Sequence, residues 1–330
     1  MNRAVTASLL AITMMLAGAA TAIAQTGAYT ECEKSGDARI VEVSGATCDD
    51  ARAVATALAG VAPANVEGVL RAQGWTPLRA TPTGYDDTYD LFAFRGRGSL
   101  WIRRRGAAPD LDGWLAGREL LFSRDPLVGG APAPKGTAGC TSGFLISLGG
   151  RLGGLSAGHC AGLTKKKTTL RRNAALRDLP QVGLVLGGVQ RNLWRGRRFD
   201  ALVLPAPSGP GRTSAPVVDR GILASPLFVI GTARAKLGRR VCFSGRTSGI
   251  DQCGKIVRSY PGAGGLPCTT IMAGLGDSGS PVYTAPAPDG TVRAVGTATL
   301  VFSFLQVMCF TPIEPVLDAL NAKLVTVPAS

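Results

Sequence analysis

The sequence predicts an all-β domain in residues 127–330, preceded by a small α+β module in residues 25–106. The chain of 330 residues contains 44 glycines and 21 prolines, about a fifth of the total, and only 18% of its residues are charged. From residue 127 onward, short apolar runs are bounded by Gly, Pro and Ser, a pattern typical of short strands joined by tight turns. This composition excludes coiled coils, long helical bundles and disordered acidic chains.

The N-terminus predicts a secretory signal peptide over residues 1–24. Arg3 precedes a stretch of small apolar residues, and Ala22-Ile23-Ala24 forms a small-x-small cleavage site before Gln25. A transmembrane anchor is the alternative, but the apolar stretch is short and no basic stop-transfer cluster follows it. We therefore expect a secreted, extracellular protein without a membrane span, in which all eight cysteines can form disulfides.

Residues 25–106 predict one strand, one helix and one hairpin. The strand covers residues 40–43, and the hairpin joins residues 89–94 to 100–104 around Gly96-Arg97-Gly98. The helix is expected to begin after Thr47 or Asp49, with apolar residues at helical spacing: Ala51, Val54, Ala55 and Leu58.

The function of this module is open between two interpretations. As a pro-segment it would assist folding or block the cleft until it is removed, and as a retained accessory domain it would bind a surface or a partner. Residues 107–126 mix Pro, Gly and polar residues with an apolar patch, and we interpret them as a connector.

Positive charge is concentrated in the second part of the chain. Residues 1–126 contain 13 basic and 14 acidic side chains, whereas residues 127–330 contain 23 and 8. The basic run at 165–172 is interpreted as a solvated turn or as a face that attracts anionic cell-surface polymers. No aromatic platform accompanies it, so nucleic acid is not expected as a partner. The single histidine excludes histidine-rich metal centres, and we expect no metal and no cofactor.

Three motifs in the basic part contain the residue types of an acyl-transfer site. His159 lies in Gly158-His159-Cys160, Asp200 precedes an apolar run, and Ser278 lies in a Gly-Asp-Ser-Gly sequence. A serine hydroxyl becomes a strong nucleophile when an imidazole accepts its proton, and a buried carboxylate fixes the imidazole tautomer. Each motif alone also fits a structural residue or a surface turn. Their order, His then Asp then Ser, favours a catalytic triad.

Residues 127–330 resemble chymotrypsin-fold serine proteases, above all the compact secreted bacterial branch of streptogrisin and alpha-lytic type. The matching strings are LVGGAPAPKGTAGCTSGFLIS, GGLSAGHC, FDALVL, VCFSGRTSG and GDSGSPVY. The resemblance implies two six-stranded antiparallel barrels, an active site in the cleft between them and a C-terminal helix. It also implies that His159 is the general base, that Asp200 orients it and that Ser278 is the nucleophile. The backbone amides of Gly276 and Ser278 would form the oxyanion hole.

The same resemblance implies the disulfide pairing. Three pairs follow the family pattern, and Cys32 and Cys48 are left as the fourth. The implied pairs are Cys140–Cys160, Cys242–Cys253, Cys268–Cys309 and Cys32–Cys48.

The chain departs from the family pattern in the strand that would pair with the substrate. Thr299, Leu300 and Val301 stand where relatives have a Ser-Gly-Gly-like segment. Backbone pairing with a peptide remains available, and Thr299 can still offer a hydroxyl towards Asp200. Leu300 and Val301 should narrow the pocket, so we expect a small or medium apolar side chain before the scissile bond. A closed pocket in a catalytically silent protein is the alternative.

A second departure concerns Asp277, which precedes the nucleophile and should be buried with a cationic partner. Arg246 is the nearest candidate by motif position, because Phe243 occupies one arginine position of the relatives. Near the C-terminus, residues 311–314 form a predicted capping box at the start of a helix that runs through Lys323.

The sequence thus predicts a monomeric, secreted serine endopeptidase that acts on polypeptides. Two alternatives remain: a catalytically silent relative that binds partners through its cleft or basic face, and a secreted esterase that uses the same triad.

Overall fold

The computed structural model describes Cys32 and residues 39–82, 88–106, 113–162, 173–178, 181–187, 189–193, 199–207, 212, 214–220, 225–260, 262–302 and 307–328. The predicted signal peptide and the basic run at 165–172 lie outside the described residues. None of the described helices is long and apolar enough to cross a membrane.

The N-terminal module contains one antiparallel sheet and two helices. Its elements are β1 Arg39–Ser44, α1 Cys48–Leu58, a 3-10 turn Pro63–Asn65, α2 Val66–Ala72, β2 Thr76–Pro82, β3 Thr88–Arg95 and β4 Gly98–Arg105. The strand order is β1-β4-β3-β2. Thr47 is the N-cap of α1 and forms a capping box with Asp50, and the four apolar residues predicted to line one helix face are all buried. The predicted strand, helix and hairpin are therefore confirmed, whereas α2 and β2 were not predicted.

Both faces of this sheet are buried. One face packs against the helices in a core that includes Val54, Leu58 and Leu91. The other face presents Phe92 and Phe94 to residues of the second part of the structure, the described residues from 113 to 328, which we call the β-rich part. The rings of Phe94 and Phe228 lie 5.9 Å apart. The module is therefore docked onto the β-rich part through apolar side chains.

The β-rich part contains seventeen described strands and one α-helix. The first strands are β5 Glu119–Ser123, β6 Ala138–Thr141, β7 Leu145–Leu148, β8 Arg151–Ser156, β9 Asn173–Asp178, β10 Gln181–Gly187, β11 Arg191–Asn192 and β12 Leu202–Pro205. The later ones are β13 Val217–Val218, β14 Leu227–Thr232, β15 Arg240–Gly245, β16 Gly249–Val257, β17 Cys268–Thr269, β18 Pro281–Thr284, β19 Thr291–Phe302, β20 Val307–Pro312 and β21 Ala322–Leu324, with α3 Ile313–Leu320 between the last two.

Six of the later strands close into a barrel. The order β19-β18-β15-β16-β17-β20 is antiparallel throughout, and β20 pairs again with β19 to complete the ring. Phe243, Val282, Val295 and Phe310 are among the side chains that fill it. The predicted all-β class and one six-stranded barrel are thereby confirmed.

The earlier strands form two sheets with the orders β10-β9-β5-β6 and β11-β12-β8-β7-β21. Side chains from both sheets share one core, for example Phe122 from β5 and Leu204 from β12. Ladders among the described strands do not close this half into a ring, so the other six-stranded barrel stays a prediction.

The interpretation of residues 107–126 as a connector needs a correction in its second half. The apolar patch there forms β5, which pairs with β6 and β9. Trp114 is fully buried, and its Nε1 donates a hydrogen bond of 2.9 Å to the Gly143 carbonyl. These apolar residues belong to the core of the β-rich part because they pack against distant strands, which their local pattern does not reveal.

The C-terminal helix is present, but its predicted boundaries are wrong. Helix α3 begins after Pro312, which makes no side-chain cap, and it ends before Asn321 at φ 50°. The Thr311 hydroxyl lies 2.8 Å from that of Thr299 on the neighbouring strand and does not cap the helix. Lys323 lies in β21, which pairs with β7.

The eight cysteines form four disulfides, in the pairing that the resemblance implied. They are Cys32–Cys48, Cys140–Cys160, Cys242–Cys253 and Cys268–Cys309. Cys140–Cys160 ties β6 to the 3-10 turn Gly158–Ala161, which contains His159.

Candidate active site

Adjacent strands bring His159 and Asp200 together. His159 lies in the 3-10 turn that follows β8, and Asp200 lies two residues before β12. Leu202 of β12 is paired with Ser156 of β8, so the end of one strand lies beside the start of the other. The Asn192 side chain donates to the Gly158 carbonyl over 3.0 Å and supports the turn from the neighbouring strand β11.

The three predicted triad residues form one hydrogen-bonded chain. His159 Nδ1 lies 2.6 Å from Asp200 Oδ2, and the His159 backbone amide donates to Asp200 Oδ1 over 2.8 Å. His159 Nε2 lies 2.9 Å from Ser278 Oγ. Asp200 is buried, whereas the His159 side chain is 37% exposed. One ring nitrogen therefore faces a buried carboxylate, and the other faces the hydroxyl of the partly exposed Ser278.

Two backbone amides next to the serine remain open. Within the described part of the chain, neither the Gly276 nor the Ser278 amide donates a hydrogen bond. The intervening Asp277 amide donates to Gly274, and the Gly279 amide donates to Ala298. Gly276 has a φ of 103°, a conformation that favours glycine. These two N–H groups beside the serine are therefore available to an acceptor.

Thr141 anchors the loop that contains Ser278 to the other half of the β-rich part. Its amide donates to the Ser278 carbonyl over 2.8 Å, and its hydroxyl donates to the Gly276 carbonyl over 2.9 Å. The same hydroxyl accepts a hydrogen bond of 3.2 Å from the Arg246 amide. We did not predict this role from sequence, although Thr141 follows Cys140 in a string that the resemblance covers.

Within the described part of the chain, Asp277 does not have the cationic partner that we expected. Asp277 is fully buried, and the donors to its carboxylate among the described residues are all neutral groups. Oδ1 accepts from the amides of Thr247 at 2.8 Å and Ser248 at 3.2 Å. Oδ2 accepts from the Ser248 hydroxyl at 2.5 Å and the Gly274 amide at 2.7 Å. Four converging donors replace the cation, because hydrogen bonds to the charged form stabilise a buried carboxylate.

Arg246 has a different partner. Its Nη1 lies 2.9 Å from Glu119 Oε1 of β5. The guanidinium passes directly over Gly139, where a Cβ would collide with it. The Arg246 guanidinium therefore pairs with Glu119 in the earlier half of the β-rich part and not with Asp277.

The three candidate substrate-binding residues lie at the end of β19. A register shift between Ala298 and Leu300 interrupts the β19–β20 ladder at Thr299. As a result, the Thr299 hydroxyl contacts Thr311 at 2.8 Å and the Thr297 carbonyl at 3.2 Å. The hydroxyl contact with Asp200 that the sequence allowed is not among the hydrogen bonds of the described residues. Leu300 packs against a small apolar cluster that contains Leu266, and Val301 is half-buried.

A second buried polar cluster lies behind this site and was not predicted from sequence. Tyr283 donates to Asp251 Oδ1 over 2.8 Å, and its hydroxyl lies 2.6 Å from that of Ser244. Asp251 also forms an ion pair with the buried Arg220. Burial raises the pKa of Tyr283 well above its ordinary value of 10.0, and the negative charge of Asp251 acts in the same direction.

Comparisons with known proteins find matches among solved structures only. No protein-family model and no curated protein matches the chain.

The chain is similar to solved proteases. Thermobifida fusca Protease A is 26% identical, and the match covers 64% of this chain and 98% of that one, with a TM-score of 0.44. A glutamic acid specific serine protease is 19% identical over 64% of this chain and 100% of that one, with a TM-score of 0.47. A Nocardiopsis protease is 25% identical over 61% and 99%, with a TM-score of 0.42.

Proposed function

We propose that this chain is a secreted serine endopeptidase. The observation that carries the proposal is the chain of hydrogen bonds from Ser278 through His159 to Asp200, at 2.9 Å and 2.6 Å, beside two open amides. A hydroxyl, an imidazole and a buried carboxylate in this order form an activated nucleophile, and the amides supply stabilisation of a developing oxyanion.

In the proposed reaction, Ser278 Oγ attacks the scissile carbonyl while His159 Nε2 accepts the hydroxyl proton. The carbonyl oxygen becomes an oxyanion and accepts hydrogen bonds from the Gly276 and Ser278 amides. His159 then donates its proton to the leaving amine, and the acyl group stays on Ser278. Water repeats the sequence to release the acid. Asp200 keeps the Nδ1 proton in place and stabilises the imidazolium, without becoming protonated.

The proposed substrate is an extended polypeptide with a small or medium apolar residue before the scissile bond. Thr299, Leu300 and Val301 supply a strand end that can pair with a peptide backbone. Two large apolar side chains near Ser278 on the same loop, Met272 and Leu275, are 61% and 95% exposed. This apolar surface supports an apolar preference.

Secretion and a monomeric state are part of the proposal. Four disulfides support an oxidising compartment. Anionic cell-surface polymers are a further proposed partner of the basic face. Besides the run at 165–172, Arg240 and Lys255 lie opposite each other on β15 and β16, and both are exposed.

We also propose that residues 25–106 are a retained domain rather than a cleaved pro-segment, which the sequence pattern also fits. The apolar contacts of Phe92 and Phe94 with the β-rich part support permanent docking. Leu275, close to the nucleophile, is 95% exposed with the module in place, so the module leaves this loop uncovered.

Casein hydrolysis by the purified protein tests the proposed activity. We expect Ser278→Ala to lower it on the order of 10⁶-fold, the scale of nucleophile removal in such triads. The exposed Ser259 provides the control variant Ser259→Ala, which should retain full activity. A serine-directed phosphonate should label Ser278 in the wild type and not in Ser278→Ala.

The alternatives give other outcomes. A wild-type protein that neither cleaves casein nor reacts with the phosphonate would be a silent relative. Turnover of small esters without any peptide cleavage would identify an esterase.

A further inference from the structure

The loop Gly274–Ser278 is fixed by one hydrogen bond to each successive peptide carbonyl. The Leu275 carbonyl accepts from the Thr247 hydroxyl at 2.7 Å. The Gly276 carbonyl accepts from the Thr141 hydroxyl at 2.9 Å, and the Asp277 carbonyl accepts from the Ser280 amide at 3.0 Å. Each bond sets the direction of one peptide plane, and therefore the direction of the N–H in that plane.

The peptide plane between Leu275 and Gly276 contains the Leu275 carbonyl and the Gly276 N–H. The chain contains no cis peptide in its described part, so this N–H points opposite to the Leu275 carbonyl. By holding the carbonyl, the Thr247 hydroxyl directs the Gly276 amide away from the β15–β16 hairpin. The same contact also polarises the peptide and makes the N–H a stronger donor.

Packing of the Leu275 side chain does not hold this peptide. The Leu275 side chain is 95% exposed and gives no packing that would fix the backbone. Gly276 can occupy both signs of φ, so a reversed peptide has no steric penalty from a Cβ. Within the described part of the chain, the Thr247 hydroxyl is the hydrogen-bonding group that holds the Leu275 carbonyl. At Gly276, an added Cβ would lie 2.9 Å from this hydroxyl, which shows how closely the two residues approach.

Thr247 is itself fixed by the nucleophile loop. Its amide donates to Asp277 Oδ1 over 2.8 Å, and the adjacent Ser248 donates twice more to the same carboxylate. The hairpin turn and the loop thus hold each other through residues 247, 248 and 277. Residues 247 and 248 of this turn thus supply three of the four described hydrogen bonds to the Asp277 carboxylate, and Thr247 also binds the peptide beside it.

We propose that Thr247 is a positioning residue for oxyanion binding, whose hydroxyl keeps the Gly276 amide directed at the acyl oxygen. This inference rests on the proposed function, because it names the group that orients one donor of that site.

The test compares Thr247→Val with Thr247→Ser. Valine removes the hydroxyl at nearly constant volume, and serine retains it. The matched control is Thr137→Val, which removes another 2.7 Å hydroxyl-to-carbonyl bond, to Pro134, in a turn outside the site. We expect Thr247→Val to lower kcat by up to about 10²-fold with KM unchanged, since loss of an oxyanion donor acts on the transition state. Thr247→Ser and Thr137→Val should remain close to wild type.

Crystal structures of the Thr247 variants supply the second readout. The Leu275–Gly276 peptide should be reversed or split between two orientations in Thr247→Val and unchanged in Thr247→Ser. A peptide that keeps its direction in Thr247→Val, with water in place of the hydroxyl, would overturn the proposal, as would a reversed peptide with unchanged kcat. If the wild type proves inactive, the proposed function fails, while the crystal structures still decide whether Thr247 orients this peptide.

Discussion

The Thr141 amide donates a 2.8 Å hydrogen bond to the Ser278 carbonyl and so joins the two halves of the β-rich part at the candidate nucleophile. Gly279, the residue after Ser278, has a φ of 90°. A Cβ added at Gly279 would collide with both the Thr141 carbonyl and the Ser156 hydroxyl. The backbone next to the nucleophile is therefore packed without space for a side chain.

Gly279→Ala is expected to destabilise the fold and to remove activity, because the new methyl group displaces either Ser278 or β6. The matched control is Gly265→Ala, at a φ of 87° with nothing within 4 Å of the added Cβ. It carries only the backbone strain of about 1 kcal/mol. Urea unfolding should give at least about 2 kcal/mol more destabilisation for Gly279→Ala than for the control. Equal losses in the two variants would contradict this packing argument.

Ser248→Ala is expected to lower the free energy of unfolding by about 1.5–3 kcal/mol, the range for a hydrogen bond to a charged group. The buried Asp277 carboxylate would lose its 2.5 Å hydroxyl donor and keep three amides. Urea denaturation measures the loss, with the exposed Ser259→Ala as control. If the two serine variants are equally stable, neutral donors are not what stabilises Asp277.

Because Tyr283 is buried, we predict that the free energy of unfolding falls in alkaline solution. Burial, followed by the charge of Asp251, raises its pKa in the folded state above the ordinary value of 10.0. Below that value both states hold the proton. Above it the unfolded chain releases the proton and the folded chain does not, so the free energy of unfolding falls as pH rises.

Urea unfolding between about pH 9 and about pH 11 measures this slope. Tyr283→Phe should show a shallower fall than the wild type, even though it also loses the hydrogen bonds to Asp251 and Ser244. Tyr260→Phe, at a half-buried tyrosine outside this cluster, is the control. A wild-type slope in Tyr283→Phe would refute the assignment.

Because apolar side chains dock residues 25–106 onto the β-rich part, we predict that cleaving the chain between the two parts will not separate them. A protease site inserted between residues 107 and 112 should yield two fragments that co-elute in size-exclusion chromatography. Phe94→Ser should separate them, since a buried phenylalanine contributes about 1.5–3 kcal/mol. Arg97→Ala removes only the partly exposed ion pair with Asp289 and should leave the fragments together. Fragments that separate without any substitution would instead favour a removable pro-segment.

Local signals in the sequence determined several features of this protein. The candidate caps Thr47 and Asp49 and the apolar spacing after them predicted α1, because these interactions join residues within one or two turns. The order of His159, Asp200 and Ser278, together with the resemblance it supports, predicted the three side chains that the fold brings to hydrogen-bonding distance. The class of fold followed from turn residues and short apolar runs.

Tertiary structure alone decided how the nucleophile loop is held. Asp277 and Leu275 are bonded by Thr247 and Ser248, about thirty residues earlier in the chain, and Gly276 is bonded by Thr141, further away still. Three of these donors are threonine or serine hydroxyls and two are the backbone amides of Thr247 and Ser248. Because every residue except proline has a backbone amide, and because Ser and Thr occur throughout the chain, the local sequence does not identify these donors. At the register shift in β19, the Thr299 hydroxyl likewise contacts Thr311 and the Thr297 carbonyl, although the motif alone would allow it to face Asp200. Side-chain identity specified the chemistry of the site, and long-range strand register specified which groups support it.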